Sequence, residues 1–171
     1  MPLFLDACAL VKRYVPEGRS SSRIQTITNR PTRWGGFFVS SFVEIEVVAA
    51  IAKAAREYPN PMLRPKLLGE VPDTVRRFQR DYRSGVFNSV DIESAFLRAG
   101  VEDLTRHPHH SIGAADALHL VTALDAAERS PGPLVFVTAD RGLYDAAREH
   151  GLLVYNPNTE HEAALELRAG L

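Results

Sequence analysis

The sequence predicts an α/β fold built on a central parallel sheet. Short apolar runs of strand length alternate with helical stretches, the pattern of a parallel sheet with helices on both sides. No internal repeat, low-complexity tract or linker divides the 171 residues. A single domain spanning 1–171 is therefore expected, with a variable Pro/Arg-rich segment at 59–84. A chain of this size buries roughly 70% of its unfolded surface, enough for an ordinary core without staples.

Leu3-Phe4-Leu5 reads as a first buried strand ending in Asp6. Residues 7–14 are helical and stop before Pro16, because the position ahead of a proline disfavours helical backbone. Residues 20–28 form a second short helix, Trp34-Gly35-Gly36 a turn, and 37–40 a second strand. Ser41 is placed to cap a helix running to Glu57. Pro59, Pro61, Pro65 and Pro72 then predict a loop or broken helices, since each removes a helical N–H. Val75, Phe78 and Tyr82 give helical spacing over 73–82, and 86–90 is a small strand. Residues 92–104 are helical, with Ala95, Phe96 and Ala99 on one face. A polar loop at 107–111 precedes a strong helix at 114–128. Residues 134–137 are a third clear strand, entering Thr138-Ala139-Asp140. The helix at 143–150 closes at Gly151, a good terminating glycine, before a strand at 152–155 and a terminal helix at 159–171.

Hydrophobic residues make up 45% and charged residues 24%, a globular balance. The single cysteine, Cys8, excludes an intrachain disulfide and any multi-cysteine zinc or iron–sulfur site. The longest clean apolar run, 47–52, falls far short of the roughly 18 residues a membrane span needs. The opening Met-Pro-Leu-Phe-Leu-Asp has no basic flank, so no signal peptide is expected. These readings predict a soluble, cytoplasmic chain with no membrane partner.

A net charge of −1 does not advertise polyanion binding, but the charge is uneven. Between Lys53 and Arg83 stand eight basic residues against four acids; from Gly85 to Glu128 there are two against seven. Of the 20 basic residues 17 are arginine, whose planar fork suits phosphate. The cluster Arg76, Arg77, Arg80 and Arg83 is thus either a solvated helix face or a patch for a nucleic-acid backbone, with Tyr82 available for stacking.

The acids are informative by position. Ligands of an open parallel sheet bind beyond the carboxyl ends of its strands. Asp6 and Asp140 stand at two such ends, and Asp116 opens an apolar helix, where the dipole favours a carboxylate. Glu44 and Glu46 lie among Phe42, Val43, Val47, Val48 and Ile51, a stretch that keeps an acid poorly solvated. Two carboxylates ~5 Å apart at an effective dielectric of ~20 repel by about 3 kcal/mol. A converging cluster therefore holds protons or binds a cation, and hard oxygen donors favour Mg²⁺ or Mn²⁺ over zinc. Singly, each acid also reads as a cap or turn residue.

Other chemistries fit less well. A haloacid-dehalogenase phosphatase wants a second acid two residues after Asp6, where Cys8 stands. A cysteine phosphatase wants arginine six residues after Cys8, where Tyr14 stands and Arg13 is one place early. Glycine-rich nucleotide loops are missing. His107, His109 and His110 flank Pro108 and read as a solvated loop rather than a metal site. His119 lies one turn past Asp116, as a satisfied, partly buried histidine or a support to the acids.

Four blocks carry a resemblance. Phe4-Leu5-Asp6-Ala7-Cys8-Ala9-Leu10-Val11-Lys12, running to Tyr14-Val15-Pro16-Glu17, resembles the opening of PIN-domain proteins, above all the VapC-like ribonuclease toxins of toxin–antitoxin pairs. Ser40-Ser41-Phe42-Val43-Glu44-Ile45-Glu46-Val47 resembles their strand-to-helix segment. Ala115-Asp116-Ala117-Leu118-His119-Leu120-Val121-Thr122-Ala123-Leu124 is the most specific block, and Phe136-Val137-Thr138-Ala139-Asp140-Arg141-Gly142-Leu143 with Gly151 matches the end. The resemblance covers nearly the whole chain and is weakest from Pro59 to Ser84, where the chain is also longer than compact members.

The resemblance implies a PIN-like α/β/α sandwich that hydrolyses RNA phosphodiesters with Mg²⁺ or Mn²⁺. It makes Asp6, Glu46, Asp116 and Asp140 the catalytic acids, with Asp6, Asp116 and Asp140 as metal ligands and Asp6 and Asp116 foremost. It selects Glu46 over Glu44, which points about 200° away on a helix. Thr138 matches a supporting hydroxyl, and Cys8 stands where the family often has serine or threonine, a stronger hydrogen-bonding group. It further implies an antitoxin partner and a homodimer; Val47, Val48 and Ile51 fit a core or a dimer face equally. The alternative is a non-catalytic PIN-like binding or regulatory module.

Overall fold

The computed structural model describes every residue except Glu17, Ala169 and Leu171. Five strands, β1 (Leu3–Leu5), β2 (Phe37–Ser40), β3 (Asn88–Val90), β4 (Val135–Val137) and β5 (Leu153–Tyr155), form one parallel sheet in the order β3-β2-β1-β4-β5. Phe4 lies opposite Phe38 on one side and Phe136 on the other. The chain builds outward from β1 through β2 and β3, then crosses to β4 and β5. The direction of winding thus reverses between β1 and β4, which opens a crevice beyond their carboxyl ends.

Alternation along each strand divides the core into two layers. Leu3, Leu5, Phe37, Val39, Val135, Val137 and Tyr155 face one layer, and Phe4, Phe38, Phe136 and Val154 the other. The first layer is covered by α1 (Ala7–Leu10) with a 3₁₀ turn at Val11–Arg13, α2 (Arg19–Thr28), α3 (Val43–Arg56), α4 (Arg64–Arg83) and Leu165 of α8 (Glu162–Arg168). The second is covered by α6 (Ala114–Arg129) and α7 (Arg141–Glu149), and α5 (Ser94–Arg106) packs on α6. No helix among the described residues is long and apolar enough to cross a membrane.

Three local expectations are corrected. Ser41 does not cap α3: the helix starts at Val43, and the Ser41 hydroxyl accepts a hydrogen bond from Ile92 N at 3.1 Å, tying β2's exit to the chain after β3. The proline-rich segment divides: Pro59 and Pro61 lie in the loop between α3 and α4, as expected, whereas from Arg64 onward α4 runs unbroken for 20 residues. Pro65 occupies its first turn, where an N–H has no helical partner anyway. Pro72 lies inside the helix at an exposed position, while Val71, Val75 and Phe78 face the core. The third is the histidine loop, which is solvated only in part: His109 is exposed, His107 is half-buried and the His110 side chain is packed, as described below. Of the terminal helix expected at 159–171, Glu162–Arg168 is observed, and Ala169 and Leu171, like Glu17 of the opening block, lie outside the described residues.

Candidate active site

β1 delivers Asp6 into the crevice, where it is 2% exposed. Its backbone leaves the strand in extended conformation, so the side chain caps α1: Oδ1 accepts from Ala9 N at 2.7 Å. Oδ2 accepts from the Thr138 hydroxyl at 2.6 Å and the Cys8 thiol at 2.9 Å. Burial raises the pKa of this carboxyl, and the bonds from Cys8, Thr138 and Ala9, with His119 nearby, pull the other way.

Thr138, the residue after β4, is fully buried and works in two directions. Its oxygen donates to Asp6 and accepts from Asp140 N at 3.0 Å. The Cys8 sulfur likewise donates to Asp6 and accepts from Ala139 N at 3.2 Å. Burial, and then the Asp6 charge, push the thiol pKa well up, so sulfur stays protonated as a donor at neutral pH. The thiol thus makes the contact that the resemblance assigns to a hydroxyl.

Asp140 caps α7, with Oδ1 accepting from Leu143 N at 2.8 Å. Asp116 stands in the first turn of α6 and accepts from Gly113 N at 2.9 Å. Burial raises the Asp116 pKa against that bond, and the charges of Asp140 and Glu46 raise it further. Gly142 lets the loop before α6 lie against the start of α7. A Cβ there would fall 2.3 Å from the Ser111 carbonyl oxygen.

Glu46 occupies the first turn of α3 and bonds the Nε2 of His119, whose Nδ1 pairs with the Ser40 hydroxyl at 2.9 Å. The imidazole is buried, so Ser40, His119 and Glu46 form one polar chain from the end of β2 to the carboxylates. Glu44 faces elsewhere, into a groove lined by Phe42, Ile45, Val48 and Leu97.

Direct bonds therefore join Asp6, Cys8, Thr138 and Asp140, and shared electrostatics join Asp116, Glu46 and His119 to them. Arg76, Arg77, Arg80 and Arg83 are not brought to this point. They occupy the last turns of α4, which lead into the start of β3, at the opposite edge of the sheet from the strand ends. Arg76 pairs with Asp73, and the Tyr82 hydroxyl bonds Ser89 at 2.9 Å. Sequence reasoning missed Ser40, although it ends a parallel strand as Asp6 follows one, and undervalued His119, whose one-turn spacing from Asp116 was the available signal.

A small cleft of about 250 Å³ lined by Cys8, Lys12, Ala139, Asp140 and Asn158 adjoins the carboxylates. A larger cleft, about 900 Å³ and lined by Phe38, Asp91, Phe96, Asp125 and Arg129, contains none of them. The all-oxygen acidic set fits a hard dication. The Asp6 and Asp116 carboxyls, both raised by burial and Asp116 further by the charges of Asp140 and Glu46, gain when a cation replaces their protons.

No protein-family model matches the sequence, and a search of curated proteins finds no match. Solved structures do match. FitAcB from Neisseria gonorrhoeae aligns over 92% of this chain and 99% of its own, with TM-score 0.54 and 17% identity. VapBC2 from Rickettsia felis, bound to a DNA fragment from their promoter, aligns over 91% of this chain and 98% of its own, with TM-score 0.56 and 13% identity. The five-stranded parallel sheet with its flanking helices is accordingly the PIN-like α/β/α fold.

Proposed function

We propose that the chain is a divalent-metal-dependent endoribonuclease and the toxin of a toxin–antitoxin pair. The observation carrying this reading is Asp6: a buried carboxylate at the point where the sheet's winding reverses, fixed by neutral donors and linked to Asp140 through Thr138 and to Asp116 and Glu46 through His119. Asp6, Asp116 and Asp140 would hold Mg²⁺ or Mn²⁺, which supplies charge neutralisation at the scissile phosphate and a bound water of lowered pKa.

The chain's own groups do the rest. Thr138 and Cys8 fix Oδ2 of Asp6, so the carboxylate needs no reorganisation to meet a cation. Thr138 also fixes the Asp140 backbone, so the two acids keep one spacing. Glu46, braced by His119 and Ser40, is placed to accept a proton from an attacking water, and the imidazole shares that charge. Arg141, exposed and one residue past Asp140, is better placed to hold a phosphate than the α4 arginines.

The antitoxin and a second copy of this chain are proposed partners. The exposed apolar groove of Phe42, Ile45, Val48 and Leu97 supports a protein contact. Val47 and Ile51 belong to the core instead, and only Val48 reaches the groove.

The test incubates purified protein with a mixed pool of structured and unstructured RNA in Mg²⁺, Mn²⁺ or EDTA. Cleavage should require the ion and fall by roughly a thousandfold or more in Asp6→Asn and Asp116→Asn, as several kcal/mol of lost transition-state stabilisation demands. Cleavage surviving EDTA or both substitutions would refute the site. Intact RNA in every arm with folded protein would favour a binding module.

A further inference from the structure

Four of the chain's six histidines gather at one corner, remote in sequence from β1. His107, His109 and His110 come from the loop between α5 and α6. His150 ends α7, Glu149 is the last residue of that helix, and Asp103 stands on the last turns of α5. The rings of His107 and His110 stack with centroids 5.0 Å apart, and those of His109 and His110 lie 4.5 Å apart. Among the described residues, the sets of three or more potential ligands whose donor atoms converge within 4.8 Å are His107, His109, His110 and Glu149, and Asp103, His107 and His150.

Hydrogen bonding explains part of this gathering. Glu149 Oε2 lies 2.9 Å from His110 Nε2 and 3.4 Å from His109 Nε2, and Oε1 lies 3.7 Å from His107 Nδ1. It does not explain the groups behind them. The Asp103 side chain is 7% exposed and that of His110 is 4% exposed. Both Asp103 oxygens, His110 Nδ1 and His150 Nε2 are buried without a hydrogen-bond partner. His150 Nε2 approaches Asp103 Oδ1 to 2.7 Å without the alignment of a hydrogen bond. Buried polar atoms left so cost about 1–3 kcal/mol each, so this corner holds more polar groups than its own hydrogen bonds satisfy, while the donor atoms of His107, His109, His110 and Glu149 converge in front of them.

We propose that this corner binds one transition-metal dication of the zinc class, held by His107 Nδ1, His109 Nε2, His110 Nε2 and a Glu149 oxygen. Three imidazoles and a carboxylate suit Zn²⁺, Ni²⁺ or Co²⁺, and disfavour Mg²⁺, which prefers oxygen and water. His107 faces both ways: Nδ1 toward Glu149, and Nε2 toward Asp103 at 3.9 Å. At that distance Asp103 is not yet hydrogen-bonded to the ring; drawn together when an ion binds, the pair would form the carboxylate–histidine–metal arrangement by which a second carboxylate orients a ligating ring. Asp103 is thereby a positioning residue, and its buried charge gains a counter-charge through the ring.

The site is independent of the ribonuclease reading. Its loop continues through Ser111 and Gly113 to Asp116, and α7, which ends at Glu149, begins after Asp140. A bound ion would therefore pin the loop and the helix that carry those two acids.

The test uses full-length protein purified without a polyhistidine tag, in excess Mg²⁺ so that the acidic crevice does not compete. Zn²⁺ is titrated against a chromophoric chelator, and Co²⁺ is followed by visible absorption. One Zn²⁺ per chain and the intense bands of four-coordinate Co²⁺ are expected. His109→Ala and Glu149→Gln, both exposed enough to leave the fold intact by circular dichroism, should each weaken Zn²⁺ more than tenfold. Asp103→Asn should weaken it by about 10–100-fold, and Asp116→Asn should leave it unchanged. No stoichiometric Zn²⁺ in the wild type would overturn the proposal. So would binding that survives His109→Ala and Glu149→Gln but disappears in Asp116→Asn. RNA cleavage is not part of the readout, so neither result bears on the ribonuclease.

Discussion

At Asp6 one carboxylate serves as helix cap, hydrogen-bond hub and candidate ligand, and each role draws on a different atom or direction. Asp6 and Asp116 both have pKa values raised on folding, chiefly by burial. Such a carboxyl binds its proton more tightly when folded than when unfolded. The stability it contributes is complete below the unfolded carboxylate range near ~4, and is lost as pH rises through the folded value. In EDTA the wild type should therefore lose melting temperature between pH 4 and pH 7.5, and Asp116→Asn should lose less. Added Mg²⁺ should raise the wild-type melting temperature at pH 7.5 and leave Asp116→Asn nearly unmoved. A wild type equally stable at both pH values would remove the argument. Thr138→Val should cost about 1–3 kcal/mol in urea unfolding, since it leaves Asp6 Oδ2 and Asp140 N short of partners. Cys8→Ser keeps a donor in place and should preserve cleavage within a few-fold, whereas Cys8→Ala should lower it clearly. The acids were legible because each stands at the end of a strand or the start of a helix, positions the sequence pattern marks. The Ser40–His119–Glu46 chain was not, because its members lie on three elements and meet only through the fold.

Among the elements, the strands were the easiest to read: 37–40 was expected and is observed without change, since Gly36 and the following polar pair bound a clean apolar run. α4 was the hardest. Pro65 and Pro72 argued against a helix, but an apolar stripe of Val71, Val75 and Phe78 holds it to the core, and tertiary packing outweighs local propensity. Gly69 sits inside this helix, with nothing within 4 Å of the place a Cβ would take. Gly69→Ala should therefore stabilise the protein by about 0.5–1 kcal/mol by removing backbone freedom from the unfolded chain. A thermal or urea melt unchanged within error would show that α4 frays at that turn. The arginine cluster illustrates the limit of one-dimensional reading: charge density along the chain marked Arg76 to Arg83, and the path of α4 carries them toward the start of β3, away from the carboxyl ends of the strands where the acids gather.

For the molecule as a whole, the alternation of strands and helices made the fold class legible, and the reversal of winding between β1 and β4 fixes where chemistry can gather. Surface roles were less legible, because an apolar residue reads the same whether it meets the core or a partner. Ile45, 64% exposed, shows this beside its buried neighbour Val47. Ile45→Asp should leave RNA cleavage by the free chain intact and abolish capture by a co-expressed antitoxin or a second copy. Undiminished association would move the partner elsewhere. Gly142 has a consequence at the scale of a living cell. Any side chain there collides with the Ser111 carbonyl, and so wedges apart the two segments that present Asp116 and Asp140. If the chain is the toxin proposed above, cells in a library of variants expressed without antitoxin survive only when that activity fails. Survivors should be enriched in replacements of Gly142 almost as strongly as in those of the acids, although glycine takes no part in the reaction.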